Sequence, residues 1–193
     1  MKKKLKNIAI CTALAISVLS FAGCGNSNNS SKGENATTEA PKPVLTLSIG
    51  TKDDLKNYDY IYETATPGST ALTWDASNPD ADTLIAILAE VTGWNLNLAE
   101  PVSVTPGSFI ICFAEDSSIY TGAVDSSKAD FAITDRQKLV NTILDSIVAN
   151  MNTAYKETLT IYFASADGSD ITIPDAGITI SASEPYATVE EEE

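Results

Sequence analysis

Between Thr134 and Met151 the chain carries one long apolar stripe, and that stripe constrains the fold more than any other feature. Leu139, Val140, Ile143, Leu144, Ile147, Val148 and Met151 recur at three- and four-residue spacing, the period of a helix with one buried face. Thr134 and Gln137 read as a capping box, with Asp135 in the first turn. Arg136, Asn141, Asp145 and Asn150 are expected to face away from the stripe. Burying these side chains contributes on the order of 10–20 kcal/mol gross, most of it offset by ordering entropy. Such a face needs a partner layer, and the flanking sequence supplies strands.

Val44–Gly50 alternates apolar and polar residues, the period of a half-buried strand, and Tyr58–Glu63 also reads as extended. A Pro67-Gly68 turn and a short strand over Thr70–Trp74 follow. A first helix is predicted after Asn78 as cap and Pro79 at its first position. Asp80 and Asp82 complement its dipole, Leu84, Ile85, Leu88 and Val91 recur at helical spacing, and Gly93 stops it. Pro101–Val104, a Pro106-Gly107 turn and Ser108–Ala114 form a predicted hairpin. Its second arm is apolar enough to be a central strand covered on both faces. Glu115–Ala132 reads as loop with short extended pieces. Leu159–Phe163, an Asp167-Gly168 turn, Asp170–Ile173 and Gly177–Ile180 read as strand pieces. The fold class implied is α+β, a mixed β-sheet with two helices packed against it.

Charge narrows the partners. The chain has 26 acidic and 12 basic residues, and four of the basic ones are Lys2, Lys3, Lys4 and Lys6. The rest of the chain, with 8 basic against 26 acidic residues, repels phosphate backbones and anionic lipid headgroups, so nucleic acid is not an expected partner. Solubility alone also accounts for the charge. There is no histidine, which excludes Ser-His-Asp, Cys-His and His-ligated zinc sites. Of three cysteines, only Cys112 lies in the body, within Phe109-Ile110-Ile111-Cys112-Phe113, and it is expected to be a buried structural thiol.

The N-terminus has a positive stretch, Met1–Asn7, then an apolar run of 15 residues, Ile8–Ala22, then Gly23-Cys24. Fifteen residues rise about 22 Å as a helix, short of the roughly 30 Å hydrocarbon core, which favours a removable signal over a permanent span. Ala22-Gly23-Cys24 resembles a bacterial lipobox, with Phe21 where that motif usually has leucine. The resemblance implies cleavage before Cys24 and lipid on its sulfur. Gly25–Pro43 is polar, with almost no apolar side chain, and reads as a disordered tether of about 25 Å root-mean-square span. The expected organisation is signal peptide 1–23, tether 24–43, folded domain 44–186 and acidic tail 187–193. The location expected is extracytoplasmic, anchored to the cell membrane.

The body also resembles a known family. Asp82–Glu90, Val102–Gly122, Leu139–Leu144, Thr158–Gly168 and Gly177–Tyr186 look like successive segments of the GerMN domain, a module of sporulation, germination and cell-envelope lipoproteins. The sequence departs from the family pattern at Gly93-Trp94 and at Asn95–Glu100. The resemblance covers residues 44–186. It implies a non-catalytic envelope module, without cofactor, that binds cell-wall polymer or another envelope protein.

Candidate chemistry is sparse. Glu115 and Asp116 are the carboxylates best placed for a wall-polymer hydrolase, although neighbours in a strand point to opposite faces. Tyr58, Tyr60, Tyr62, Trp74 and Trp94 are aromatic enough to line a sugar-binding groove, although core and sheet packing explains them better. The ligand-contact candidates are therefore Tyr60, Tyr62, Trp74, Trp94, Glu115 and Asp116. Ser127-Lys128 lacks the setting of a Ser–Lys catalyst. The carboxylates near Asp80 and Asp167 do not have EF-hand spacing, and no metal site is expected. A small solute-binding lipoprotein remains as a third reading, although its usual two-lobed body needs a longer chain.

Overall fold

The computed structural model describes residues 42–62 and 71–186. The expected signal peptide, Cys11, Cys24, nearly all of the tether, the Pro67-Gly68 turn and the acidic tail lie outside the described residues.

The α+β class holds, with the β-structure divided into three small sheets among the described residues. Strands β1 (Val44–Ile49) and β2 (Lys56–Ile61) form an antiparallel hairpin in which Val44 faces Ile61 and Ile49 faces Lys56. Helix α1 (Ala81–Thr92) follows. Strands β3 (Ser103–Thr105) and β4 (Ser108–Cys112) are joined by the Pro106-Gly107 turn, with Gly107 at φ 73°. A single turn, α2 (Ser118–Thr121), precedes the long helix α3 (Arg136–Tyr155). Strand β5 (Thr160–Ala164) then lies parallel to β4, giving a mixed sheet in the order β3-β4-β5. Strands β6 (Ile171–Ile173) and β7 (Ile178–Ile180) close the domain as an antiparallel pair.

The stripe of α3 behaves as its period requires: all seven apolar residues are at most 2% exposed. They meet Leu47 and Ile49 of β1, Leu84, Ile85 and Leu88 of α1, and the inward residues Phe109, Ile111, Ile161 and Phe163 of the mixed sheet in one core. Phe113 stacks on Phe163 at 5.8 Å, and Phe109 meets Tyr155 edge-on at 4.8 Å.

The polar side of α3 corrects the expectation that Asp145 and Asn150 face away. Both are buried, with Ser146 between them, and they close the edge of β1. Asn150 Nδ2 donates to Ser48 O at 2.6 Å, and its Oδ1 accepts from Ser48 N at 2.9 Å. Ser146 Oγ accepts from Gly50 N at 3.0 Å, and Asp145 Oδ2 accepts from Lys52 N at 2.8 Å. Tyr186 Oη donates to the other oxygen of Asp145 at 2.9 Å. Helix side chains thus occupy the place of a neighbouring strand, and one continuous sheet is replaced by separate ones.

Other local expectations shift for identifiable reasons. Asp80, not Asn78, caps α1, accepting from Thr83 N at 2.8 Å, while Asn78 N closes a turn on Asp75 O. Asp135, not Thr134, caps α3, accepting from Lys138 N at 2.8 Å. No strand forms over residues 71–74. The stretch expected as loop holds α2 because Ser117 caps it and Ile119 is fully buried; Ala129–Phe131 adds a 3₁₀ turn. Strand β4 is central but covered on one face only at its middle, where Ile110 is 42% exposed. Arg136 donates to the carbonyls of Ser118, Ile119 and Tyr120, so it secures α2 to the start of α3.

Between β5 and β6, the Asp167-Gly168 turn is closed by Ser165 Oγ donating to Asp167 Oδ1 at 2.6 Å. Hydrogen bonds from Ser165 and Ser169 hold the Asp167 carboxyl at about 2. A depressed carboxyl stabilises the fold above its unfolded value of about 4, and that contribution is lost as pH falls through about 2. In an NMR titration Asp167 is expected to titrate near 2 and to move back toward 3.8 in Ser165→Ala. The helix–strand seam gives a second expectation. Asn150→Leu leaves both backbone groups of Ser48 without their partners, and denaturant unfolding should show a loss of about 2–4 kcal/mol. Thr153→Ala, at an exposed position of the same helix, should change stability by no more than about 0.5 kcal/mol.

Candidate functional site

After α1, Gly93 at φ 72° reverses the chain, and residues 94–101 run back beside the helix. The sequence Asn95-Leu96-Asn97-Leu98 alternates polar and apolar residues, and Leu96 turns into the core. This segment extends the mixed sheet past the end of β4. Ala99 N donates to Cys112 O at 2.8 Å, Ala114 N donates to Asn97 O at 2.9 Å, and Leu98 bridges to Phe113.

Between this segment and α1 lies an open groove of about 540 Å³. Asp82, Ile85, Ala86 and Ala89, one face of α1 by spacing, form one wall. Trp94 and residues 95–101 form the other. Asp82 Oδ1 accepts from Val102 N at 3.1 Å and ties the two walls together at one end.

The amides on the groove wall are fixed in direction. Asp116 Oδ2 accepts from Asn97 Nδ2 at 2.7 Å and from Asn95 Nδ2 at 3.2 Å, and Asp116 O accepts from Asn95 Nδ2 at 3.0 Å. Asn95 Oδ1 in turn accepts from Asn97 N at 2.9 Å. The Asn95 backbone is held from both sides: its N donates to Ser118 Oγ at 2.8 Å, and its O accepts from Ser118 N at 2.7 Å. The result is an apolar floor edged by oriented amides and the carboxylates Asp82 and Glu100, a surface suited to grip a chain by hydrogen bonds and van der Waals contact.

The expected site residues fall in different places. Trp94 lines the groove, is 2% exposed and donates its indole N–H to Phe131 O at 3.0 Å. Asp116 organises the two asparagines. Glu115 is exposed, with its charge close enough to help raise the Tyr120 phenol, which burial raises most. Tyr60 lies on β2 and donates to Glu90 Oε2 at 3.0 Å; burial and that partner raise its phenol. Tyr62 follows β2, and its backbone N donates to Pro43 O. Trp74 is buried beside Leu45 and Leu84 around a separate small cavity. The aromatics therefore do not line one groove. Cys112 is buried as expected, and burial pushes its thiol up, away from reactivity. Among the described residues no group of three or more acidic or cysteine side chains is placed to hold a metal.

Asn95 and Asn97 were not singled out from sequence, although their alternation with Leu96 and Leu98 is the signal that carries them. Asp116→Ala should speed the side-chain amide exchange of Asn95 and Asn97 seen by NMR, whereas Glu115→Ala should leave both unchanged. Because these hydrogen bonds are exposed, Tm should shift by no more than about 4 °C in either variant.

Compared with protein-family models, curated proteins and solved structures, the chain matches none.

Proposed function

We propose that this chain is an extracytoplasmic lipoprotein, held at the cell membrane by lipid on Cys24, whose domain binds an envelope protein or cell-wall polymer without acting chemically on it. The observation that carries the binding role is the groove between α1 and residues 94–101, with its apolar floor and its asparagine amides held by Asp116. Asn95 Nδ2 is engaged by two oxygens of Asp116, so Asn97, through its Oδ1 and second Nδ2 proton, and the carboxylates Asp82 and Glu100 are the polar groups that suit a neutral, hydroxyl- or amide-rich chain, such as a polysaccharide or an extended peptide. The positive stretch, the apolar run and Ala22-Gly23-Cys24 support the membrane setting. The likeness of residues 44–186 to the GerMN domain, carried by the sequence segments quoted for it, belongs to the same proposal.

A wall-polymer hydrolase on Glu115 and Asp116 is less well supported. Such an enzyme needs two carboxyls that flank a bond, one of them free to give or take a proton. The Asp116 carboxylate is already engaged by two amides.

Placing a cation in the groove tests the binding role. Ala89→Arg and Asn97→Ala are each expected to lower binding to isolated wall polymer, or to the envelope protein cross-linked at Asn97 in native membranes, by about tenfold or more. Unchanged binding in both would overturn the groove assignment. A wall-polymer zymogram should show no clearing, and clearing that disappears in Asp116→Asn would favour the hydrolase. Cys24→Ala is expected to move the protein from the membrane to the soluble fraction, and the mature wild-type chain should carry diacylglycerol by intact mass.

A further inference from the structure

The segment that forms one wall of the groove uses only one of its two backbone edges. Toward β4 its hydrogen bonds are made: Asn97 O accepts from Ala114 N at 2.9 Å, and Ala99 N donates to Cys112 O at 2.8 Å. Leu98 stands opposite Phe113 between these two bonds. In an antiparallel pair, a residue in that position turns its own N–H and C=O away from the partner strand. Leu98 therefore presents both groups on the opposite edge, and by the two-residue period so do Leu96 and Glu100. Among the described residues, the N–H and C=O of these three make no hydrogen bond.

That free edge borders the groove. Leu96 buries its side chain in the core, Leu98 is half-buried, Glu100 is exposed, and all three line the groove. A strand edge with open backbone groups is a template for pairing with another chain. Across from it, Ala86 and Ala89 of α1 are half-buried and carry only methyl groups, which leaves room between helix and edge. A helix standing beside the edge blocks the approach of a second folded sheet and admits a single extended chain. Five extended residues, as many as Leu96–Glu100, run roughly 17 Å.

Charge is placed at one end of the groove. Asp82 and Glu100 line it, and no lysine or arginine does. Both carboxylates lie toward Val102, whose N–H donates to Asp82 Oδ1. The other end, at Trp94 and Ala89, is apolar. The pattern of the edge separates the two chains that the groove could grip. A peptide repeats its N–H and C=O every two residues, about 6.6–6.8 Å, which is the spacing of Leu96, Leu98 and Glu100. A polysaccharide carries hydroxyls and no such donor–acceptor repeat. The main chain of a peptide is neutral, and a basic side chain near its end meets the two carboxylates.

We propose that the groove takes an extended peptide segment of a partner protein, added as a further strand along Leu96–Glu100, with a lysine or arginine side chain of that segment on Asp82 and Glu100. The assignment rests on the groove reading above and narrows it from a polysaccharide or peptide to a peptide.

Two probes test it on the full-length protein: an acetylated, amidated peptide of alternating valine and threonine with lysine at each end, and isolated wall polymer. The peptide is expected to bind with a Kd on the order of 10–100 μM. In NMR hydrogen exchange it should slow the amides of Leu96, Leu98 and Glu100 and leave that of Ala99, already bonded to Cys112 O, unchanged. N-methylation of every second peptide residue should weaken binding at least about tenfold in one phase of the alternation and less than about threefold in the other, because only one set of N–H groups faces the edge. Ala89→Arg, which fills the groove, should lower peptide binding about tenfold. Glu100→Lys, at an exposed position, should lower it about fivefold, and a peptide with glutamate at each end should then bind better than the lysine one. Wall polymer that binds and is lost in Ala89→Arg, with no binding of the peptide, would overturn the peptide assignment and leave the groove reading in place. Equal loss from both N-methylation phases, or peptide binding that survives Ala89→Arg, would overturn the strand addition. Failure of both probes to bind would overturn the groove reading with it.

Discussion

The architecture depends on a seam in which a helix acts as a strand. Strand β1 has β2 on one edge; on the other it meets Asp145, Ser146 and Asn150 of α3. An asparagine side chain carries the same donor and acceptor as a peptide unit, so Asn150 can satisfy both backbone groups of Ser48 at once. An unpaired strand edge invites association, and buried backbone groups without partners are costly. The seam removes both problems with side chains that the apolar stripe of α3 has already brought into place. It also fixes the turn after β1 through Gly50 and Lys52.

The same seam explains what sequence could and could not reveal. The stripe of α3, the end of α1 at Gly93, the Pro106-Gly107 turn and the strand pieces around Ile161 and Ile171 were legible, since periodicity and turn chemistry are local signals. The burial of Asp145 and Asn150 was not legible. A polar residue off the apolar stripe reads as solvent-facing, and only the tertiary partner, the edge of β1, shows otherwise. The caps moved for a more local reason. Asn78 and Asp80, or Thr134 and Asp135, are close competitors, and side-chain geometry chose the aspartate in each case. Helix α2 was missed because one turn carries too few residues for a period; it forms around the capping of Ser117, the burial of Ile119 and the Arg136 guanidinium on its carbonyls.

The candidate site was half legible. Trp94 and Asp116 stood out by residue type, and both belong to the wall of the groove or to its support. Tyr60, Tyr62 and Trp74 stood out equally, and the fold sends them elsewhere, because aromatic character marks surface to be buried without saying where.

Trp94 links the parts. Its side chain lines the groove, and its indole N–H is spent on Phe131 O, which ties the groove wall to the segment before α3. The residue after it, Asn95, has backbone and side chain bound on both sides. Surfaces built this way have little conformational freedom left to lose when something binds, and ordering on association is among the larger opposing costs. Rigidity of this kind does not choose the ligand. It does mean that selectivity at the groove must come from the fixed directions of two amides and the carboxylates beside them, rather than from loops that adapt.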